Sequence, residues 1–171
     1  MDAQELRERQ KPLKDRYQNE PDSAVIPARA EARLDEKTIA CKLSTWSGSV
    51  VAGLHPAAGG DGTQACSADM LLEALAACAG VTLKSVATAM GIDLREGRVI
   101  AEGHWDARGT LALDRNVPVG LRDLHLRFEL DSDADDSNLT RLIELTERYC
   151  VIYQTLVTPP AQSVEFVRLN D

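Results

Sequence analysis

With 171 residues, 44% hydrophobic and 27% charged, the chain has the composition of a soluble domain with one ordinary core. A formal charge of −8 and a pI near 4.9 exclude the basic face that nucleic acid or an anionic membrane surface requires. The N-terminus is charged from Glu5 to Arg16 and lacks the basic-then-apolar order of a secretory signal, so a cytoplasmic protein is expected.

Residues 1–22 are expected to form an N-terminal helical arm, and residues 23–171 the main folded domain. In the arm, Leu6, Leu13 and Tyr17 fall roughly on one side, and Pro12 predicts a break or kink. Ser23–Leu34 and Thr38–Trp46 read as a strand hairpin turned at Asp35-Glu36-Lys37, with a third strand possible over Gly48–Leu54. The glycine-rich stretch His55–Cys66 matches no phosphate-binding pattern and reads as a structural loop.

The stretch Ser67–Met90 is apolar almost all round, with Asp69, Glu73 and Lys84 its only charges. Ser67 suits a helix cap, Asp69 the first turn and Gly91 the left-handed position after the last turn. Such a helix is expected to be buried on every side. Its interior charges argue against a membrane span.

Beyond Gly91, Arg98–Asp106 reads as a strand. Leu121–Leu130 is another, with Leu124, Leu126, Phe128 and Leu130 on one face and His125 on the polar face. The acidic run Asp131–Ser137 lacks the glycine and twelfth-position glutamate of a calcium loop and fits a helix entry instead. An amphipathic helix follows from Leu139 and runs on through Cys150 to Leu156, stopping before Pro159-Pro160; Ser163–Leu169 is a last strand. Strands grouped ahead of and between two helices predict an α+β fold with antiparallel pairing.

Four cysteines are too few for a disulfide scaffold, and with three scattered histidines they offer no zinc spacing, so neither metal nor cofactor is expected. Cys78 lies at the centre of the apolar helix among Ala76, Ala77, Ala79 and Gly80, which leave room beside its sulfur. About three turns from the helix start, it gains little from the dipole, and burial raises a thiol's pKa. A reactive Cys78 therefore needs a cation from elsewhere, and an arginine from a neighbouring strand suits the chemistry. Cys66 lies twelve residues earlier, about 18 Å along a helical path, beyond disulfide reach. Cys41 sits mid-strand and could be core, and Cys150, at the end of the second amphipathic helix, carries no such constraint. Each cysteine alone also reads as a small buried hydrophobe.

Leu71-Leu72-Glu73-Ala74-Leu75-Ala76-Ala77-Cys78-Ala79-Gly80-Val81-Thr82 resembles the first cysteine motif of the OsmC/Ohr family of thiol peroxidases. Gly59-Gly60-Asp61 is similar to that family's Gly-Gly-Asp loop, and Cys150-Val151-Ile152-Tyr153-Gln154-Thr155-Leu156 to its second cysteine motif. The resemblance covers roughly residues 24–169, with both motifs in order.

The resemblance implies an OsmC-like fold in which antiparallel sheets pack around two central helices in an intertwined homodimer, with active sites at the subunit interface. Cys78 would be the peroxidatic cysteine and Cys150 the resolving one, with a thiol reductant closing the cycle. Arg33 or Arg29, on the same face of an extended strand, would hold the thiolate, with Arg33 slightly preferred. Peroxidase members carry a glutamate ten residues before the first cysteine, where this chain has Ala68. Asp69 is the adjacent carboxylate, although one residue turns a helical side chain by about 100°. Val151 stands for the usual proline after the second cysteine, and Tyr153-Gln154 for Ser-Asn. Two functions follow as expectations: a cysteine peroxidase for organic hydroperoxides or hydrogen peroxide, or a module binding a small hydrophobic ligand, its cysteines idle or redox-sensing.

Overall fold

The structure, a computed structural model, describes residues 1–169. Helix α1 (Ala3–Asn19) opens on a capping box: Asp2 accepts from the N–H groups of Gln4 and Glu5, and the Glu5 carboxylate accepts from Asp2 N–H. The expected break at Pro12 does not occur; the helix runs through it. Its cap and the i,i+4 pairs Gln4–Glu8 and Lys11–Asp15 help offset the lost backbone bond.

The first predicted strand shrinks to β1 (Ala32–Leu34), because Pro21–Ala24 forms a 3-10 turn and Val25–Glu31 finds no ladder. Strands β2 (Ala40–Thr45) and β3 (Gly48–Gly53) form as expected, giving a three-stranded antiparallel sheet in the order β1-β2-β3. Among the described residues no helix packs across this sheet; β1 is wholly exposed, and in β2 and β3 only Ala52 is buried. In the loop after β3, Pro56–Ala58 forms a 3-10 turn. His55 Nδ1 accepts the Ala57 N–H at 3.0 Å, and Gly59 takes a left-handed φ of 96°. A side chain at Gly60 would place its Cβ 1.7 Å from the Leu54 carbonyl oxygen.

Helix α2 (Ser67–Met90) ends at Gly91, whose φ is 71°. Its N-cap is Cys66 rather than Ser67, and no side chain caps it. The expectation of all-round burial fails. Only Leu75, Ala79, Leu83 and Ala87, at four-residue spacing, are buried. The opposite side carries Ala74, Ala77 and Val81 into solvent, with Val81 74% exposed. By length and composition α2 could cross a bilayer, yet α1, β4, α4 and α5 all pack against it, as elements do around the core helix of a folded domain.

Strands β4 (Glu96–His104) and β5 (Arg122–Asp131) form a second antiparallel sheet, in register from Glu96–Asp131 to Glu102–His125, with α3 (Ala107–Thr110) in the connection. Val99, Phe128 and Leu130 pack on the core of Leu83, Ala87 and Leu142, and Arg98 pairs with Glu129 across the strands. The acidic run enters α4 (Asp136–Tyr149) as expected, with Asp135 accepting from Asn138 N–H at 2.8 Å.

Two expectations fail beyond this point. The second helix does not run through Cys150 but ends there, and a separate α5 (Val151–Val157) begins. The predicted last strand, Ser163–Leu169, does not form and pairs with nothing among the described residues. It leaves Val164, Phe166 and Leu169 almost fully exposed. The result is an α+β fold with two small antiparallel sheets and a thin core.

Candidate thiol site

The break between α4 and α5 is made by one residue. Cys150 leaves the helical region at ψ 108°, its N–H still bonded to Thr146 O at 2.9 Å, its C=O already accepting Gln154 N–H at 2.9 Å. It serves as the N-cap of α5, and its Sγ accepts the Tyr153 N–H at 3.5 Å. The β-branched Val151 and Ile152 weaken any continuous helix here. Gln154 secures the joint by donating its side-chain amide to the Glu147 carbonyl, freed by the break, at 2.9 Å.

This geometry carries the fully buried Cys150 up to Cys78 on α2, and each sulfur shifts the other's ionisation. Burial pushes the Cys78 thiol up. The Ile152 N–H, the Cys150 thiol, the Val151 N–H and the Thr82 hydroxyl outweigh it and hold Cys78 below an ordinary thiol. Cys150 moves the other way. Burial raises it, the Tyr153 N–H opposes that, and the neighbouring Cys78 raises it further. One cysteine is disposed to be a thiolate and its neighbour a thiol.

The other predicted site residues lie elsewhere in this chain. Arg29 and Arg33 are exposed, and both pair with Glu31, at 2.8 and 3.3 Å. Neither is among the groups acting on Cys78. Asp69 is exposed in the first turn of α2, and Ala68 lines a cavity of about 330 Å³ together with Leu54, His55, Cys66, Trp105 and Leu121. There the His55 and Trp105 rings meet edge to face, 5.3 Å apart. All four cysteines are unbridged, and the described residues contain no cluster of three metal-ligating side chains. Sequence reasoning missed the first-turn N–H groups of α5 and Thr82. The β-branched pair after Cys150 was the available signal for a helix boundary. Thr82 stands one turn beyond Cys78, where a hydroxyl reaches back along the helix.

The sequence model of OsmC-like proteins matches residues 60–165, a span that holds both thiols and the helices carrying them. The chain belongs to the OsmC-like protein family. Among solved structures it is similar to an OsmC-like protein of Mycoplasma pneumoniae: 19% identity, a TM-score of 0.66, and coverage of 78% of this chain and 89% of that one. It is also similar to an organic hydroperoxide resistance protein of Elizabethkingia anophelis, at 14% identity and TM-score 0.61, covering 78% and 91% of the two chains. An organic hydroperoxide resistance protein of Legionella pneumophila gives 14%, 0.57, 78% and 93%. None of the curated proteins matches the chain. At these identities the structural likeness concerns the OsmC-like fold.

Proposed function

We propose that the Cys78–Cys150 pair is the centre of a thiol-dependent peroxidase acting on organic hydroperoxides or hydrogen peroxide. The observation that carries this reading is the pairing itself: two thiols that shift each other, the first toward thiolate and the second toward thiol. The organic hydroperoxide resistance proteins that share the fold support the same chemistry.

The Cys78 thiolate attacks the terminal peroxide oxygen, the O–O bond breaks, and the departing oxygen takes a proton to leave as an alcohol or water. Cys78 is then a sulfenic acid. It no longer carries the negative charge that raises Cys150, so the resolving thiol ionises more readily once it is needed. Cys150 attacks the sulfenic sulfur, water leaves, and a Cys78–Cys150 disulfide forms. Two electrons from an external dithiol return both thiols. No cofactor or metal enters the scheme, and the setting is the reducing cytoplasm.

The active unit in this reading is a homodimer. The open side of α2, the uncovered first sheet and the unpaired Ser163–Leu169 segment leave Val81, Leu34, Val164, Phe166 and Leu169 largely exposed, as a surface that meets a partner does. A second copy covers them and brings an arginine, Arg33 in preference to Arg29, toward Cys78 of its partner.

A binding module for a small hydrophobic ligand is the second reading, favoured by the apolar cavity at Ala68 where peroxidase members carry a glutamate. Consumption of cumene hydroperoxide with dithiothreitol or reduced lipoamide separates the two. Wild type is expected to consume peroxide, at a rate that rises with pH up to the lowered Cys78 pKa and then levels, and Cys78→Ser to match buffer. Equal background rates in both proteins would leave only the binding reading.

A further inference from the structure

A hollow of about 360 Å³ opens where α4 meets α5, walled by Arg148, Tyr149, Cys150, Val151 and Pro160. Cys78 is not in that wall, and Cys150 has no exposed surface of its own. A molecule that reaches Cys150 from solvent has to enter through a concavity bordering it, and this hollow is one.

Among the described residues Arg148 is the one charged group lining the hollow. Its guanidinium lies over the Tyr149 ring, 5.8 Å from the centroid, and meets no carboxylate among the described residues. The acids near it in sequence are engaged elsewhere. Glu144 pairs with Arg141 at 2.9 Å, and Glu147 lines a separate hollow with Leu75 and His125. The side chains of Gln154 and Thr155 are also taken, by the Glu147 and Val151 carbonyls. A guanidinium left free beside a reacting sulfur favours an anion there.

We propose that this hollow docks the thiol that reduces the protein, a small molecule whose carboxylate Arg148 holds, and that Cys150 is the sulfur it attacks. The proposal rests on the Cys78–Cys150 disulfide of the proposed function, and it adds where that bond is reopened and by what class of molecule. Thiol–disulfide exchange runs in line, so the entering sulfur approaches Cys150 from the side away from Cys78. The reductant's thiolate bonds to Cys150 Sγ, the Cys78–Cys150 bond breaks, and its electron pair leaves on Cys78. Cys78 is the better leaving group of the two, because it is the thiol held low. A second thiol of the reductant then displaces Cys150, which takes up a proton, and the reductant departs as its own disulfide.

Reduced lipoate and reduced lipoamide test the carboxylate, since they share one dithiol and differ in a carboxylate against an amide. The wild-type disulfide is made with diamide, without peroxide, and its reopening is followed by rapid acid quench and thiol counting. Wild type is expected to reopen about twofold to fivefold faster with reduced lipoate, the range for an exposed ion pair, and to lose the difference at high salt. Arg148→Gln is expected to reopen equally with both, at the wild-type rate for reduced lipoamide. With 3-mercaptopropionate as a single thiol, an early quench should find the mixed disulfide on Cys150. Equal rates with the two dithiols in wild type, a preference that survives Arg148→Gln, or an adduct on Cys78 would each overturn the proposal. Failure of diamide to join Cys78 to Cys150 would instead remove the disulfide on which it rests.

Discussion

Cys150→Ser should react with the first equivalent of hydroperoxide and then stall. Cys78 carries the groups that favour its thiolate, and a serine hydroxyl at 150 can take the place of the thiol as a neighbour. Oxidation of Cys78 should therefore survive the change. Resolution cannot, because serine forms no disulfide, and a sulfenic acid should accumulate that dimedone traps at Cys78. Turnover supported by reduced lipoamide should fall by about a hundredfold or more, as for one member of a pair that acts as a unit. Stopped-flow measurement of the first turnover beside steady-state consumption separates the two steps. Unchanged steady-state turnover would remove Cys150 from the cycle.

Val81→Arg should leave the fold of the chain intact and break its assembly. Val81 is 74% exposed on the open side of α2, in line with Ala74 and Ala77, so a long charged side chain there meets only solvent in a single chain. In a dimer that packs α2 against its counterpart, the same guanidinium is buried without a partner. A lone buried charge costs about 3–5 kcal/mol, so dimer affinity should fall by roughly a hundredfold or more. Sedimentation velocity should show wild type as a dimer and the variant as a monomer with unchanged circular dichroism. A variant that remains dimeric would place the interface elsewhere.

The elements that came through from sequence are those whose signals are local. Gly91 ends α2 because a left-handed turn needs a residue without a Cβ, and Asp135 begins α4 because its carboxylate meets free N–H groups. The alternating leucines of β5 depend only on the period of a strand. The nearness of Cys150 to Cys78 has no local signal, since no periodicity relates positions on different helices.

What stayed hidden depends on other parts of the molecule. An all-apolar α2 reads as buried, yet Ala74, Ala77 and Val81 lie in solvent in one chain. Ser163–Leu169 has a strand's alternation, but a strand exists only where a ladder partner does. Arg33 lies in β1 and Arg29 before it, and Glu31 between them takes both guanidiniums, which composition cannot foresee. The helix break at Cys150 was missed because hydrophobic spacing continues across it from Leu145 to Leu156. Only the cap geometry shows that the chain restarts there, and that restart turns a buried cysteine into the neighbour of Cys78.

The most direct measurement is peptide mapping of the wild-type protein after one equivalent of cumene hydroperoxide, with remaining thiols blocked before digestion. The account predicts a Cys78–Cys150 disulfide as the principal product, with Cys41 and Cys66 recovered as blocked thiols. Recovery of both Cys78 and Cys150 as free thiols, or a disulfide formed through Cys66 instead, would contradict it.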